Sequence, residues 1–182
     1  MYFLIGAVLV AAIGVFLYNG LVKARQMANE AWSGIDVQLK RRADLVPNLI
    51  ETVKGYAAHE RGTLEEVVEL RNRAQSIPAD DVAARGAAEN LLSQALGRVF
   101  ALAEAYPDLK ANANFADLQR SLESLESEIQ MARRYYNGAV RQLNVKVESF
   151  PSNLIAGPFG FSKRDYFEIA DAKDRQVPVV KF

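Results

Sequence analysis

The sequence predicts an all-α protein, an N-terminal transmembrane helix followed by an antiparallel helical bundle. Three observations carry that expectation. Met1 to Val22 contain no charged side chain, apolar residues then recur at alternating steps of three and four, and Gly and Pro are sparse before residue 150. The expected organisation is an anchor over 1–22, a bundle over 23–150, and an aromatic-rich tail over 151–182 that docks on the bundle or on a partner.

At 1.5 Å per residue, the opening segment rises roughly 33 Å, about the thickness of a bilayer's hydrocarbon core. A cleaved signal peptide would put positive charge before the apolar run and small residues at an exit site after it. Nothing basic precedes Tyr2, and Phe16-Leu17-Tyr18-Asn19-Gly20-Leu21 has no Ala-x-Ala exit, so an uncleaved anchor in the lipid bilayer is expected. Tyr2 and Tyr18 stand near the two ends, where amphipathic rings favour the interface. Lys23 and Arg25 follow directly, and the positive-inside rule then places the N-terminus outside and the bundle in the cytoplasm. Within the anchor, Ala7, Ala11 and Gly14 form a small-residue stripe of the kind that lets transmembrane helices pack closely.

Beyond the anchor, 22 basic and 22 acidic residues cancel, so no broad attraction to nucleic acid is implied. Cysteine is absent, which removes disulfides, thiolate metal sites and cysteine nucleophiles together. The first seam reads Ala28, Trp32, Ile35, Leu39, Val46, Leu49, Val53, Tyr56, then Val67, Leu70 and Ala74, with Arg42 in one slot where the pattern wants an apolar residue. After Pro78-Ala79-Asp80-Asp81 a second helix shows Ala88, Leu92, Ala95, Val99, Leu102 and Tyr106, and stops at Pro107. The third seam keeps a heptad through Phe115, Leu118, Leu122, Leu125, Ile129, Ala132, Tyr136, Ala139 and Leu143. Asn112 or Asn114 caps its start, and Pro151 ends it.

Pro47 leaves the helix count open. Unbroken register across it favours a continuous helix to about Ser76 and three long helices. A break, with Asp44 as cap, gives a four-helix up-and-down bundle. Thr63-Leu64-Glu65-Glu66 also reads as a capping box, which allows an interruption near His59–Gly62.

The run from Ala31 to Ala57, which includes Trp32-Ser33-Gly34-Ile35-Asp36-Val37-Gln38-Leu39 and Asp44-Leu45-Val46-Pro47-Asn48-Leu49, resembles the hallmark segment of the LemA family. Tyr18-Asn19 before it and His59-Glu60 after it match as well. So do Tyr136-Asn137, the run Val147-Glu148-Ser149-Phe150-Pro151-Ser152-Asn153-Leu154-Ile155-Ala156, then Phe159-Gly160-Phe161 and Tyr166-Phe167. The similarity covers nearly the whole chain, although Ile77 to Asn114 matches no sharp signature. It implies a bacterial single-pass protein of the inner membrane with an extracellular N-terminus, a four-helix-class bundle, and no enzymatic activity.

The matching segment supplies the interaction candidates Trp32, Asp36, Gln38, Arg41, Arg42, Asp44, Pro47, Asn48, Glu51 and Tyr56. Most of its charges read as a solvated helix face with pairs three or four apart. Arg42 differs, because a charge buried in a seam requires a partner. Either a carboxylate inside the bundle supplies it or the seam opens there to another chain, and an internal partner is the favoured expectation. Lys40-Arg41-Arg42 is no lipid patch: Arg42 lies roughly 30 Å along the helix from the membrane, several Debye lengths of about 8 Å.

No catalytic, cofactor or metal residues are expected. His59 is the single histidine, and a zinc hydrolase motif would need another at position 63, where threonine stands. Gly157-Pro158-Phe159-Gly160 lacks the Lys-Ser/Thr of a phosphate loop. In the tail, Phe159, Phe161, Tyr166 and Phe167 are the docking candidates, and Val179–Phe182 reads as a strand suited to edge addition. The function expected is a non-enzymatic membrane-anchored scaffold that forms a homo-oligomer or assembles with other membrane proteins. The alternative is a regulatory adaptor or sensor for a membrane enzyme or a small ligand.

Overall fold

The structure, a computed structural model, describes residues 1–57 and 59–168. Among them every regular element is a helix: α1 (Tyr2–Lys54), α2 (Arg61–Ser76), α3 (Val82–Ala103), α4 (Pro107–Lys110), α5 (Ala113–Glu148) and α6 (Asn153–Ala156). Four helices are long and two are single turns, so the four-helix count holds. The interruption nevertheless falls at residues 55–60 rather than at Pro47.

α1 is one uninterrupted helix of 53 residues with Pro47 inside it. Asp44 is an exposed mid-helix residue, not a cap. A proline has no N–H for the carbonyl four residues back, which here belongs to Ala43. That carbonyl is bonded from elsewhere: Arg71 on α2 donates its Nε–H to it at 2.7 Å. The exposed proline ring and the outside donor together explain how a helix breaker sits inside an unbroken helix.

α1 ends where Gly55 follows Lys54, and the Val53 carbonyl accepts from both Tyr56 N–H and Ala57 N–H at 3.0 and 2.9 Å. The helical register stops there. Tyr56, expected in the seam, is therefore exposed, and Ala57 is buried in its place. The expected capping box does not form, because α2 already starts at Arg61 and encloses Thr63 and Glu66; Glu66 instead pairs with Arg98 of α3 at 2.6 Å. α3 starts on an aspartate cap, with the Asp81 carboxylate accepting the Ala84 N–H at 3.0 Å. α3 ends at Ala103, before Pro107, which opens α4. Asn112 is the cap of α5, its side-chain oxygen accepting the Phe115 N–H at 3.0 Å.

The chain divides into two compact units. One comprises Met1–Lys40 with Leu125–Tyr166, and the other holds Arg41–Ser124 with Phe167 and Glu168. In the first, α1 buries Leu21, Ala24, Ala28, Ala31, Ile35 and Leu39, at steps of three and four that keep one face inward. Trp32, half-buried beside this face, packs on Tyr136 of α5 with ring centroids 5.4 Å apart. Higher on α1, Leu21 is buried with Ala156 and Phe161. In the second unit the core joins Val46, Leu49, Ile50 and Val53 of α1 to Leu64 and Val67 of α2, Leu92 to Val99 of α3, and Phe115 and Leu122 of α5.

Arg71→Met is expected to leave the buried Ala43 carbonyl without a donor and to cost about 1–3 kcal/mol in urea unfolding of the full chain in detergent. In a Pro47→Ala background the restored N–H bonds that carbonyl, and the same substitution should cost less than half as much.

Candidate functional site

Between Leu39 and Val46 the inward face of α1 carries a guanidinium. Arg42 keeps 2% of its surface exposed, and Glu89 on α3 keeps 4%. One terminal nitrogen of Arg42 donates to Glu89 Oε2 at 2.7 Å and to the Glu89 carbonyl at 3.2 Å. The other donates to Ser93 Oγ at 2.5 Å. The second oxygen of Glu89 accepts from Arg85 Nε, one helical turn away on α3, at 3.2 Å, and Arg85 also reaches the Ile77 carbonyl at 3.4 Å. One carboxylate thus bridges two guanidiniums in a buried interior, where ionised groups stay charged only if they are paired and hydrogen-bonded. The expected internal partner of Arg42 is Glu89, and Arg42 is closed inside the second unit.

Beside this cluster Phe167 is fully buried. Its ring and the Glu168 carbonyl lie 3.4 and 3.1 Å from where a Cβ on Gly86 would stand, so a larger residue at 86 would push this segment off α3. Asn90 donates to the same Glu168 carbonyl at 3.4 Å.

The remaining candidates do not converge on one spot. Asp36 and Gln38 are half-buried and Arg41 is exposed. Asn48 is exposed and its carbonyl accepts the Thr52 hydroxyl at 2.8 Å, while exposed Glu51 pairs with Lys54 at 3.0 Å. The Tyr56 hydroxyl accepts from Asn112 at 2.9 Å. His59 is exposed in the turn before α2. In the anchor, Ala7 and Ala11 are exposed, and among the described residues none from elsewhere in the chain lies within 4 Å of a Cβ placed on Gly14. Of the tail candidates, Phe161 and Phe167 are buried, whereas Phe159 is largely and Tyr166 partly exposed. Val179–Phe182 lies outside the described residues. Among the described residues no three His, Asp or Glu side chains form a metal-binding group.

Residue patterns alone missed Glu89, Arg85 and Arg71. Arg85 and Glu89 sit four apart, one step from the seam residues Ala88 and Leu92, which was a usable signal of an inward-facing pair. Arg71 left no such trace, since a proline announces an orphan carbonyl without naming its donor.

A family model described as the LemA family matches residues 31–182. The chain belongs to the LemA family. The matched range begins on the α1 seam and includes Arg42, Glu89 and Phe167, whereas the apolar start lies before it. Among curated relatives of this LemA-family chain, magnetosome protein MamQ 2 of Paramagnetospirillum magneticum is 25% identical over 186 residues, covering 88% of this chain and 68% of that protein. Magnetosome protein MamQ of Magnetospirillum gryphiswaldense is 26% identical over 197 residues, covering 93% and 72%. Protein LemA of Metamycoplasma hominis is 25% identical over 173 residues, covering 93% and 76%. None of these names denotes an enzyme.

Arg42→Leu strands half of the Glu89 carboxylate in the interior and is expected to cost about 3–5 kcal/mol in chemical unfolding, while light scattering of the detergent-solubilised chain gives an unchanged subunit number. An alkaline effect is expected at Tyr136, which is fully buried and donates its hydroxyl to the Asp165 carbonyl at 3.0 Å. Burial pushes its phenol above the usual value, the Arg164 guanidinium pulls it down, and Asp165 pushes it up again. The folded state holds this proton more tightly than the unfolded chain, whose phenol ionises near pH ~10. Its contribution is intact below that pH and is lost as pH rises through the folded value. Tyr106, raised by burial and by the Glu60 carboxylate, acts with the same sign. Tyr136→Phe should therefore flatten, without abolishing, the fall in stability above pH ~10 in a pH series of unfolding curves.

Proposed function

We propose that this chain is a non-enzymatic, membrane-anchored helical scaffold that associates with copies of itself. The observation that carries the reading is α1. Among positions 1–20 of the chain none is buried by the other described residues, and the same helix continues without interruption into the LemA segment. It is long and apolar enough to cross a membrane, and an apolar surface of that extent, left open to water, needs lipid or protein around it. Ala7, Ala11 and Gly14 lie on this open part and give a second copy a face for close helix packing. In this reading the span crosses a bacterial inner membrane once, with Lys23 and Arg25 holding the helical domain on the cytoplasmic side.

The second reading, an adaptor or sensor, is favoured by a broad groove of about 1160 Å³ between the end of α1 and α2. Its floor is apolar, with Ile50, Ala57, Leu64 and Val68, and its rim carries Lys54, Glu65 and Glu69. That mixture of an apolar floor and a charged rim suits a segment of another protein.

In the scaffold reading the full-length chain stays with the membrane pellet after carbonate washing, and its protein mass in a mild detergent is a multiple of 20.1 kDa. A strictly monomeric mass would reject self-association. One stoichiometric membrane-protein partner recovered with that monomer would move the function to the adaptor reading.

A further inference from the structure

The turn that follows α5 carries large apolar side chains outward: Phe150 is 78% exposed, Leu154 65% and Phe159 61%. They fall within ten residues, on a segment whose Ala156 and Phe161 are buried against Leu21 of α1, with Ile155 partly buried beside them. The place where this segment meets α1 sets its height along the anchor. The Phe159 and Phe161 rings stand on Tyr18, with centroids 5.2 and 5.7 Å away. Lys146 Nζ lies 3.2 Å from where a Cβ on Gly20 would be, and the Arg25 guanidinium caps the Phe161 ring at 4.6 Å. The first charge on α1 is Lys23, five residues beyond Tyr18 and roughly 7.5 Å further along the axis. A hydrocarbon core of roughly 30 Å counted back from Lys23 takes in Tyr18, and with it the level of Phe159.

The backbone of the turn suits a place short of water, where each polar group must find its partner internally. The N–H groups of Leu154, Ala156, Phe159, Gly160 and Phe161 all bond to carbonyls within the turn, at 2.8–3.2 Å. Pro151 and Pro158 have no N–H to satisfy, and the Ser152 hydroxyl donates to the Lys146 carbonyl at 2.6 Å. Lys23, Arg25 and Lys146 stand at the same end, where a phosphate layer would lie, and the nearby Glu148 is paired with Lys163 at 2.8 Å.

We propose that Phe150, Leu154 and Phe159 form a second membrane contact, seated in the bilayer interface beside the emerging α1. The inference rests on the reading of α1 as a membrane anchor. A lone transmembrane helix leaves the attached unit free to spin and tilt; a second apolar foothold on the turn after α5 removes much of that freedom.

The native chain has no cysteine, so single replacements carry an environment-sensitive NBD probe without background. Leu154→Cys tests the foothold, Leu9→Cys reports on the anchor, and Met131→Cys, at a residue exposed to a similar degree on α5, serves as the aqueous reference. The full-length proteins are placed in vesicles of phosphatidylcholine and phosphatidylglycerol with doxyl-labelled lipids. The expected result is strong quenching at position 9 by deep doxyl groups, loss of at least half the emission at 154 by shallow ones, and none at 131. Quenching at 9 with position 154 matching 131 overturns the foothold and leaves the anchor standing. A blue-shifted probe at 154 that lipid does not quench means protein covers the site, which also overturns it. No quenching at 9 rejects the anchor itself, and the foothold falls with it.

Discussion

The Arg42 guanidinium lies where the α1 pattern calls for an aliphatic side chain, and Glu89 is what makes that position tenable. Taking a single ion out of water costs several kcal/mol, so an arginine at this place commits the helix to a partner at a fixed level. A slide of one turn along α1 would carry the guanidinium about 5.4 Å from the carboxylate. Aliphatic seams tolerate such slides far better, because one leucine replaces another. Charge therefore supplies the register that the apolar residues of the second unit leave loosely specified. Arg85 and Ser93 complete the arrangement by occupying the remaining oxygen of the carboxylate and the remaining arm of the guanidinium.

The same logic recurs in the backbone a few residues later. Pro47 takes one donor out of α1, and Arg71 returns one from α2. Arg42 reaches outward from α1 to α3, whereas the Ala43 carbonyl is reached from α2. Consecutive residues of one helix thus receive polar ties from two different neighbours. This gives the dense polar segment of the family a physical meaning beyond a solvated surface. Part of it holds helices in place, while Arg41, Asp44, Asn48 and Glu51 remain on the outside.

In the first unit the arrangement is governed by small residues and aromatic rings. Ala24, Ala28 and Ala31 keep the inward face of α1 shallow, and Trp32 and Tyr136 fill the space beside it. Toward the N-terminus of α1, over positions 1–20, none of the apolar residues is buried. The apolar surface that a soluble domain would bury is there left uncovered by the other described residues, so one helix passes from an open to a buried face part-way along its length.

The all-helical class, the apolar start, the heptad of α5 and a cap for it at Asn112 or Asn114 were legible from the residues, because each is a local or periodic property of the chain. The demand that Arg42 makes was legible too, since desolvation acts on any buried charge. Which groups answer it was not: Glu89 and Arg71 lie 47 and 28 residues away from the positions they serve, and no local rule connects separations of that size. The exposure of Tyr56 and the survival of the helix through Pro47 were equally a matter of tertiary context. Gly55 ended the register that would have buried the ring, and a donor from another helix removed the reason for a break. Periodicity therefore determined what each helix is, whereas the meeting of distant polar groups in a buried space decided which helix continues and which face which.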